Sequence, residues 1–232
     1  MRYAVLGTGV VGRTIAGKLA SLGHEAAIGT RDPQATLART EPDGYGNPPY
    51  SQWRAEHPQV RLETFADAAA HCEVVVNTTA GLSSLEALHS AGAANLAGKV
   101  VIDIANPLDF SRGMPPLLDP VNTDSLGEQI QRAFPDTKVV KTLNTMNAQI
   151  MVAPARVPGA HTVFVSGDDA EAKEAVTELL VSFGWPTSDI IDLGDITTAR
   201  GAEMLLPIWL RLYGAFGNAD FNFHIQGAHH SA

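Results

Sequence analysis

Short apolar runs alternate with amphipathic segments along the first half of the chain. β-rich runs occupy residues 2–6, 25–29, 60–64, 74–77 and 100–104. Between them, residues 10–22 place apolar side chains at helical spacing, and residues 82–96 also indicate a helix. Strand–helix alternation of this kind predicts a parallel sheet covered by helices on both faces, that is, a doubly wound α/β fold.

The second half continues this pattern with further strands and two long helical segments. Strands are expected at residues 138–143, 162–166 and 189–192, with helices at residues 170–183 and 198–216. The last helix is apolar around nearly its whole circumference, so we expect it to be buried inside the fold or against a second subunit. Pro207 is predicted to kink it.

Two segments depart from the alternation. Residues 41–59 hold several prolines and glycines together with Tyr45, Tyr50 and Trp53, and they are predicted to form a loop or lid rather than core. Residues 106–122 are rich in Pro and Asp and form a second irregular stretch.

Composition narrows the possible partners. The 25 acidic and 16 basic residues give a net charge of −9, which disfavours nucleic acid and anionic membranes. No apolar stretch approaches the roughly 20 residues of a membrane-spanning helix. The single Cys72 leaves no internal disulfide and no Cys-rich metal site, and the histidines lack metal-binding spacing, so no metal is expected. A reduced, cytoplasmic setting fits this composition.

A glycine-rich turn, Gly7-Thr8-Gly9-Val10-Val11-Gly12, follows the first strand and opens the first helix. This spacing in this context is typical of dinucleotide-binding Rossmann units. The first glycine allows the tight turn, the second lets the backbone approach a pyrophosphate, and the third permits close packing of helix on strand. The helix N-terminus would then stabilise the phosphates.

The end of the second strand discriminates between NAD and NADP. An NAD enzyme places Asp or Glu there, whereas this chain has Thr30 and Arg31. Thr30 can donate to a 2′-phosphate, and Arg31 can pair with it and stack on adenine. Asp32 could still point at the ribose, so NAD stays open, but the charges favour NADP. Arg39 could assist, although a solvated helix face is the simpler interpretation.

Two other strand ends are expected to line the same ligand, because ligands bind outside the carboxyl ends of parallel strands. The first is the stretch 77–81, in which Thr79 and Ala80 suit a position along a ribose. The second carries Asn106 and Pro107, where Asn106 could meet the nicotinamide.

Five motifs in order along the chain resemble the NADPH-dependent oxidoreductases related to coenzyme F420:NADP reductase, and the cytosolic NADPH domain of the six-transmembrane metalloreductases. They are the glycine turn, Gly29-Thr30-Arg31, Asp103-Ile104-Ala105-Asn106-Pro107, Val139-Val140-Lys141-Thr142-Leu143-Asn144-Thr145, and Asp192-Leu193-Gly194 followed by Ala199-Arg200. The first is generic, but the ordered set is far more specific and spans residues 1 to about 210.

The resemblance implies a Rossmann domain, placed here at residues 1–143, and a small C-terminal α/β lobe at residues 144–232 that carries the apolar final helix. It also implies a homodimer. Thr8, Gly9, Val10, Val11, Thr30 and Arg31 match the family's NADP contacts. Asn144, Met146 and Ala148 match the segment beside the hydride acceptor, a deazaflavin or flavin. Members that use the deazaflavin often carry His where this chain has Asn144, which can hydrogen-bond a carbonyl but cannot titrate.

Three functions remain open from the sequence. The first is hydride transfer between NADPH and coenzyme F420 or a flavin, which needs alignment of two rings more than a catalytic acid, and none is assigned. The second is reduction of a small carbonyl or imine, for which Lys141 is a candidate proton donor, although a strand lysine is more often a structural partner. The third is a non-catalytic NADP sensor.

Overall fold

A single eight-stranded sheet organises the computed structural model, which describes residues 1–43 and 46–227. The strands run β10-β9-β8-β5-β4-β1-β2-β3 across this sheet, and β6 and β7 form a separate antiparallel pair. All neighbours in the large sheet are parallel except β8 and β9. The strands are β1 Arg2–Leu6, β2 Glu25–Thr30, β3 Arg61–Thr64, β4 Val74–Asn77, β5 Val100–Asp103, β6 Leu108–Asp109, β7 Leu117–Leu118, β8 Lys138–Thr142, β9 Val163–Ser166 and β10 Ile190–Gly194.

Helices cover both faces of the sheet. They are α1 Val10–Ser21, α2 Pro33–Ala38, α3 Tyr50–Glu56, α4 Phe65–His71, α5 Ser84–Ala91, α6 Ala93–Leu96, α7 Leu126–Ala133, α8 Ala148–Val152, α9 Ala170–Phe183, α10 Ala199–Glu203 and α11 Leu206–Phe216. Alternate strand residues supply two separate cores: Val5 packs with the α1 and α9 side, and Leu6 with the α4, α5 and α7 side. The Rossmann-type, doubly wound, mostly parallel fold predicted from the sequence is confirmed.

The C-terminal lobe continues the sheet rather than standing apart from it. β9 pairs with β8, β10 pairs with β9, and α9 packs its buried side chains into the core shared with β1. The antiparallel step at β9 is the one departure from parallel pairing in this sheet. The boundary drawn at residues 143 and 144 stays a prediction.

The loop expected at residues 41–59 is wrong in its second part. Helix α3 begins at Tyr50, which is 3% exposed and belongs to the core, while Trp53 stacks on His57. Positions 50, 53 and 57 share one helical face, and the Pro-rich residues before them end where Pro49 caps the helix. Tyr45 lies outside the described residues.

The last helix also differs from the sequence prediction. It is divided into α10 and α11, and Pro207 lies in the first turn of α11, where proline is tolerated, rather than at an internal kink. The prediction that this helix is buried inside the fold is wrong for most of α11, because only Leu206 among its residues is buried. Across the described residues, no helix combines the length and the apolar character needed to cross a membrane.

Candidate functional site

A cavity of about 400 Å³ opens at the carboxyl ends of β1, β2 and β4. It is lined by seven residues predicted from the sequence, Gly7, Thr8, Gly9, Thr30, Arg31, Thr79 and Ala80, and by Asp32, Arg39, Phe65, Thr78, Ser83, Glu86, Ala87 and Ser90. The place agrees with the rule that ligands of open parallel sheets bind beyond the carboxyl ends of the strands.

The three glycines of the turn have distinct geometries. Gly7 adopts φ +122°, which side chains other than hydrogen rarely tolerate, and its N–H donates to the Gly29 carbonyl at 3.0 Å. A Cβ on Gly12 would lie 2.1 Å from the Gly7 carbonyl oxygen, so helix α1 packs directly against the turn. A Cβ on Gly9 would meet no atom within 4 Å, which leaves open space beside the backbone where a pyrophosphate is expected.

Helix α1 presents uncapped backbone donors to this space. Gly9 is its N-cap and provides no side-chain acceptor, and the first turn contains no acidic residue. The N–H groups of Val10 and Val11 are therefore available to an anion, and the helix dipole favours negative charge here. Contact through the backbone explains why two apolar residues are predicted cofactor contacts.

The end of β2 is basic but its threonine is already engaged. Thr30 is 8% exposed, and its hydroxyl lies 3.0 Å from that of Thr36, which in turn donates to the Asp32 carbonyl. The Thr30 hydroxyl therefore donates to Thr36, so in this arrangement its proton is not directed at a 2′-phosphate as the sequence led us to expect.

Asp32 is held away from a simple ribose contact. Its carboxylate accepts from the Ala35 N–H at 2.9 Å and so caps α2. Arg31 and Arg39 are both exposed and line the cavity. This end of the cavity therefore has two guanidinium groups and one carboxylate, which is already hydrogen-bonded to the first turn of α2. This arrangement suits a phosphate.

Sequence reasoning missed the α5 wall of the cavity. Ser83, Glu86 and Ser90 recur at helical spacing and face the cavity next to Ala87. The position of α5 directly after β4 is the signal that could have found them, because a helix that follows a strand begins at the ligand-binding edge of the sheet.

Asn106 and Asn144 form a reciprocal pair at the ends of β5 and β8. The Asn106 amide donates to the Asn144 backbone carbonyl at 2.8 Å, and the Asn144 amide donates to the Asn106 side-chain oxygen at 3.0 Å. Pro107 is buried beside Gly81. A Cβ added to Gly81 would lie 2.8 Å from the Cα of Pro107. None of these residues lines the 400 Å³ cavity, so the pair lies outside the cavity formed by the glycine turn and the end of β2.

Met146 and Ala148 are buried in the core on the α1 side, each 6% exposed. Val10, Val11 and Gly12 are also not among the residues that line the 400 Å³ cavity. The predicted contact of Met146 and Ala148 with an acceptor stays a prediction.

Lys141 is fully enclosed between two carboxylates. Its ammonium group lies 2.8 Å from Asp103 Oδ2 and 2.9 Å from Glu203 Oε1. Burial alone would lower the pKa of Lys141, but the opposing charges of Asp103 and Glu203 outweigh that effect and raise the pKa above its ordinary value. A buried cation held in this way does not serve as a proton donor to a substrate.

Arg13 joins the turn to the loop that follows α2. Its Nε donates to the Thr8 carbonyl at 2.8 Å and its Nη1 to the Pro48 carbonyl at 2.6 Å, while the guanidinium lies over the Tyr50 ring. A second cavity under this loop shares Thr8 and Arg39 with the first. Nothing in the sequence pattern singled Arg13 out, since a helical arginine has no distinctive spacing.

Comparisons with known proteins agree with this geometry. The family model described as NADP oxidoreductase, coenzyme F420-dependent, matches residues 2–107. The chain is 67% identical to a proposed F420-dependent NADP-reductase from Arthrobacter sp. FB24 of known crystal structure, with a TM-score of 0.93, covering 98% of this chain and 100% of that one.

Two curated proteins are more distant. The F420-dependent NADP reductase of Methanothermobacter marburgensis is 27% identical over 217 residues, which cover 91% of this chain and 92% of that protein. Metalloreductase STEAP3 of Rattus norvegicus is 27% identical over 212 residues, which cover 90% of this chain. The chain spans only 38% of the length of STEAP3.

High identity over the whole length, a matching family model and a glycine turn that opens onto a cavity lined by two arginines all agree. The chain belongs to the family of coenzyme F420-dependent NADP oxidoreductases, and it is an NADP-dependent oxidoreductase.

Proposed function

We propose that this protein transfers a hydride between NADPH and coenzyme F420, or a flavin-type acceptor of similar ring shape. The observation that carries the proposal is the cavity beyond β1, β2 and β4, lined by the glycine turn at one side and by Arg31 and Arg39 at another. The similarity to the F420-dependent NADP reductase of Methanothermobacter marburgensis supports coenzyme F420 as the acceptor.

The adenosine half of NADPH fits this cavity. The pyrophosphate lies against the open backbone of Gly9 and the first turn of α1. The 2′-phosphate is held by Arg31, assisted by Arg39. Thr79 and Ala80 follow β4, on the side of the cavity toward β5, and lie along the ribose that carries the nicotinamide. These assignments give each basic group of the cavity an anionic partner.

The nicotinamide end reaches the Asn106–Asn144 pair, and the acceptor stacks on the same side. Bound NADPH supplies the hydride, and the chain binds, orients and excludes water. Asn144 offers hydrogen bonds to a carbonyl of the acceptor but moves no proton. Met146 and Ala148 are proposed to shape the floor of the acceptor site from within the core.

Reduction of a small carbonyl or imine is less well supported. That reaction normally uses a side chain that delivers a proton, and the candidate named from the sequence was Lys141. The side chain of Lys141 has no exposed surface and pairs with two carboxylates, so it cannot reach a substrate.

We also propose a cytoplasmic homodimer in which α11 meets a second copy of the chain. Ile208, Tyr213 and Phe216 are exposed on α11. The indole N–H of Trp209 is buried without a hydrogen-bond partner among the described residues. Such a surface is costly in water and suits an interface.

The acceptor is tested by anaerobic oxidation of NADPH with coenzyme F420, FMN, FAD and a ferric chelate in turn. We expect turnover with F420 or a free flavin and none with the ferric chelate alone. NADPH binding without turnover of any acceptor would contradict the proposed reaction.

A further inference from the structure

The fully buried Lys141 connects the ends of two neighbouring strands, β8 and β5, to helix α10. It lies on β8, and its ammonium group donates to Asp103 at the end of β5 and to the Ala105 carbonyl just beyond it. Its third partner is Glu203, from α10. One cation thus satisfies two groups at the end of β5 and one on α10 in the interior of the protein.

The two carboxylates are held by further donors. Asp103 Oδ1 accepts from the Asn77 amide at 2.8 Å and from the Ala105 N–H at 3.2 Å. Glu203 accepts from the N–H groups of Leu126 and Gly127, at 2.9 and 3.1 Å, in the first turn of α7. The excess negative charge of the cluster is therefore balanced by amide donors and by the N-terminus of a helix.

Toward the nicotinamide side, the cluster leads to the Asn106–Asn144 pair. Ala105, whose carbonyl accepts from Lys141, directly precedes Asn106. Asn144 follows Leu143, which is buried and adopts φ +61°, an uncommon conformation for a leucine. The uncommon backbone conformation thus lies at Leu143, directly before Asn144, whose carbonyl accepts from the Asn106 amide.

Toward the ribose side, the same cluster leads to Thr79. Asn77 donates to Asp103 with its amide group, and its side-chain oxygen accepts from the Thr79 hydroxyl at 2.7 Å. Thr79 lines the cavity. A continuous chain of hydrogen bonds therefore runs from the cavity wall through Asn77 and Asp103 to Lys141.

We propose that the Asp103–Lys141–Glu203 cluster positions the nicotinamide half of the site, with Lys141 as the positioning residue. It fixes the ends of β4, β5 and β8 relative to one another, so that Thr79 and the Asn106–Asn144 pair are preorganised for the ring. Among the described residues, the glycine turn and the end of β2, which form the adenosine half, make no hydrogen bond to Asp103, Lys141 or Glu203. This inference rests on the proposed NADP(H) site.

A buried ion cluster is a costly way to fill a core, because apolar side chains of the same volume are often equally stabilising. The energetic cost is understandable where the network holds a functional geometry that apolar packing would leave looser. Lys141 is proposed to hold the functional geometry here because it donates a hydrogen bond to the carbonyl of Ala105, the residue before Asn106.

The test compares the binding of NADPH with that of 2′,5′-ADP, which lacks both the nicotinamide and the ribose that carries it. The variant is Lys141→Met with Asp103→Asn and Glu203→Gln, which removes all three charges and leaves none uncompensated. We expect calorimetry to give wild-type affinity for the fragment, and NADPH affinity lowered about tenfold or more. The blue shift of bound nicotinamide fluorescence is expected to shrink as well.

Equal affinities of variant and wild type for both ligands, or an equal loss for both, would overturn the inference, because a merely structural role moves the two together. Glu203→Gln alone, which keeps the Lys141–Asp103 pair, is the second variant if the triple variant does not fold. It is expected to show a smaller loss that is still selective for NADPH, and an unselective result overturns the inference. Wild-type protein that binds neither ligand would instead overturn the NADP(H) site, and this inference with it.

Discussion

At the scale of single residues, the preference for NADP depends on a few charged groups at the end of β2. Thr30 is buried and donates to Thr36, and Asp32 caps α2, which supports Arg31 as the proposed main partner for a 2′-phosphate. The sequence identified the position but not the direction of the Thr30 hydrogen bond, because that depends on a threonine six residues later.

Arg31→Ala is predicted to weaken NADP binding selectively. A lost charge-assisted hydrogen bond is worth about 1.5–3 kcal/mol, so the Kd for NADP should rise about tenfold or more while the Kd for NAD stays nearly constant. Isothermal calorimetry with both nucleotides measures this. Arg112→Ala changes an exposed arginine that does not line the cavity and serves as the control. Equal losses for NAD and NADP would exclude the 2′-phosphate role.

The Asn106–Asn144 contact shows what a sequence can and cannot reveal about this site. Asn106 stood out because it follows a strand, which places it at the ligand-binding edge of the sheet, whereas Asn144 was named only through the family resemblance. Their mutual hydrogen bonds, and the positive φ of Leu143 that makes them possible, depend on how β5 and β8 lie side by side. That relation exists only in the folded sheet.

At the scale of elements, the close contact of α1 with the glycine turn gives a matched pair of substitutions. In Gly12→Ala the new methyl group would lie 2.1 Å from the Gly7 carbonyl oxygen, so we expect a loss of roughly 1–3 kcal/mol in stability together with weaker NADPH binding.

Gly17→Ala in the same helix is the control, because its Cβ would first meet His57 at an ordinary 3.4 Å. Alanine is the better helix former, so this variant should be neutral or more stable by up to about 1 kcal/mol. Thermal unfolding of both variants measures the difference. A Gly12→Ala protein as stable as Gly17→Ala would contradict the packing described for the turn.

Helices α7 and α10 are joined by an ion pair that makes stability depend on pH. The Arg200 guanidinium hydrogen-bonds Glu128 and holds the pKa of that carboxyl below its ordinary value. A depressed pKa in the folded state contributes stability above the unfolded value, about 4.3, and the contribution disappears as the pH falls through the folded pKa.

Glu128→Gln is therefore predicted to lower the melting temperature at neutral pH and to approach wild type as the pH falls below about 4. Melting curves from pH 3 to pH 7 test this. Glu174→Gln, on the exposed face of α9, should follow wild type at every pH. A difference between Glu128→Gln and wild type that stays constant with pH would show that the pair contributes nothing through titration.

Long periodic elements were predictable from the sequence and short ones were not. The strands of the large sheet and helices α1 and α9 were predicted to within a few residues, because burial on one or both faces imposes a clear pattern. Helices α2, α4, α7 and α8, of five to eight residues, were missed, since two turns or fewer carry little periodicity. Their caps, such as Asp32 and Ser125, become evident only with the structure.

At the scale of the whole molecule, the exposed apolar face of α11 predicts self-association. The sequence predicted burial of this helix inside the fold or against a second subunit. Among the described residues most of α11 is not buried, so contact with a second subunit stays a prediction. Phe216, which is 56% exposed, packs edge-on against Phe221 and extends this face.

Phe216→Asp is predicted to convert a dimer into a monomer, because a charge at a desolvated interface is costly. Sedimentation equilibrium at several protein concentrations measures this. Val181→Asp, on the exposed side of α9, introduces the same charge elsewhere and should leave the dimer intact. Wild-type protein that stays monomeric at high concentration would contradict the proposed interface.

The proposed reaction is a direct hydride transfer between the nicotinamide of NADPH and the aligned deazaflavin ring, and an isotope label follows the hydrogen itself. NADPH carrying deuterium at the transferred position of C4 is incubated with the protein and coenzyme F420 in ordinary water, and the reduced deazaflavin is analysed by mass spectrometry. No side chain is proposed to carry the hydrogen between the two rings. We therefore expect the deuterium to be recovered on carbon in the reduced F420. Recovery of the deuterium in water, or no reduction of F420 while NADPH binds, would contradict it.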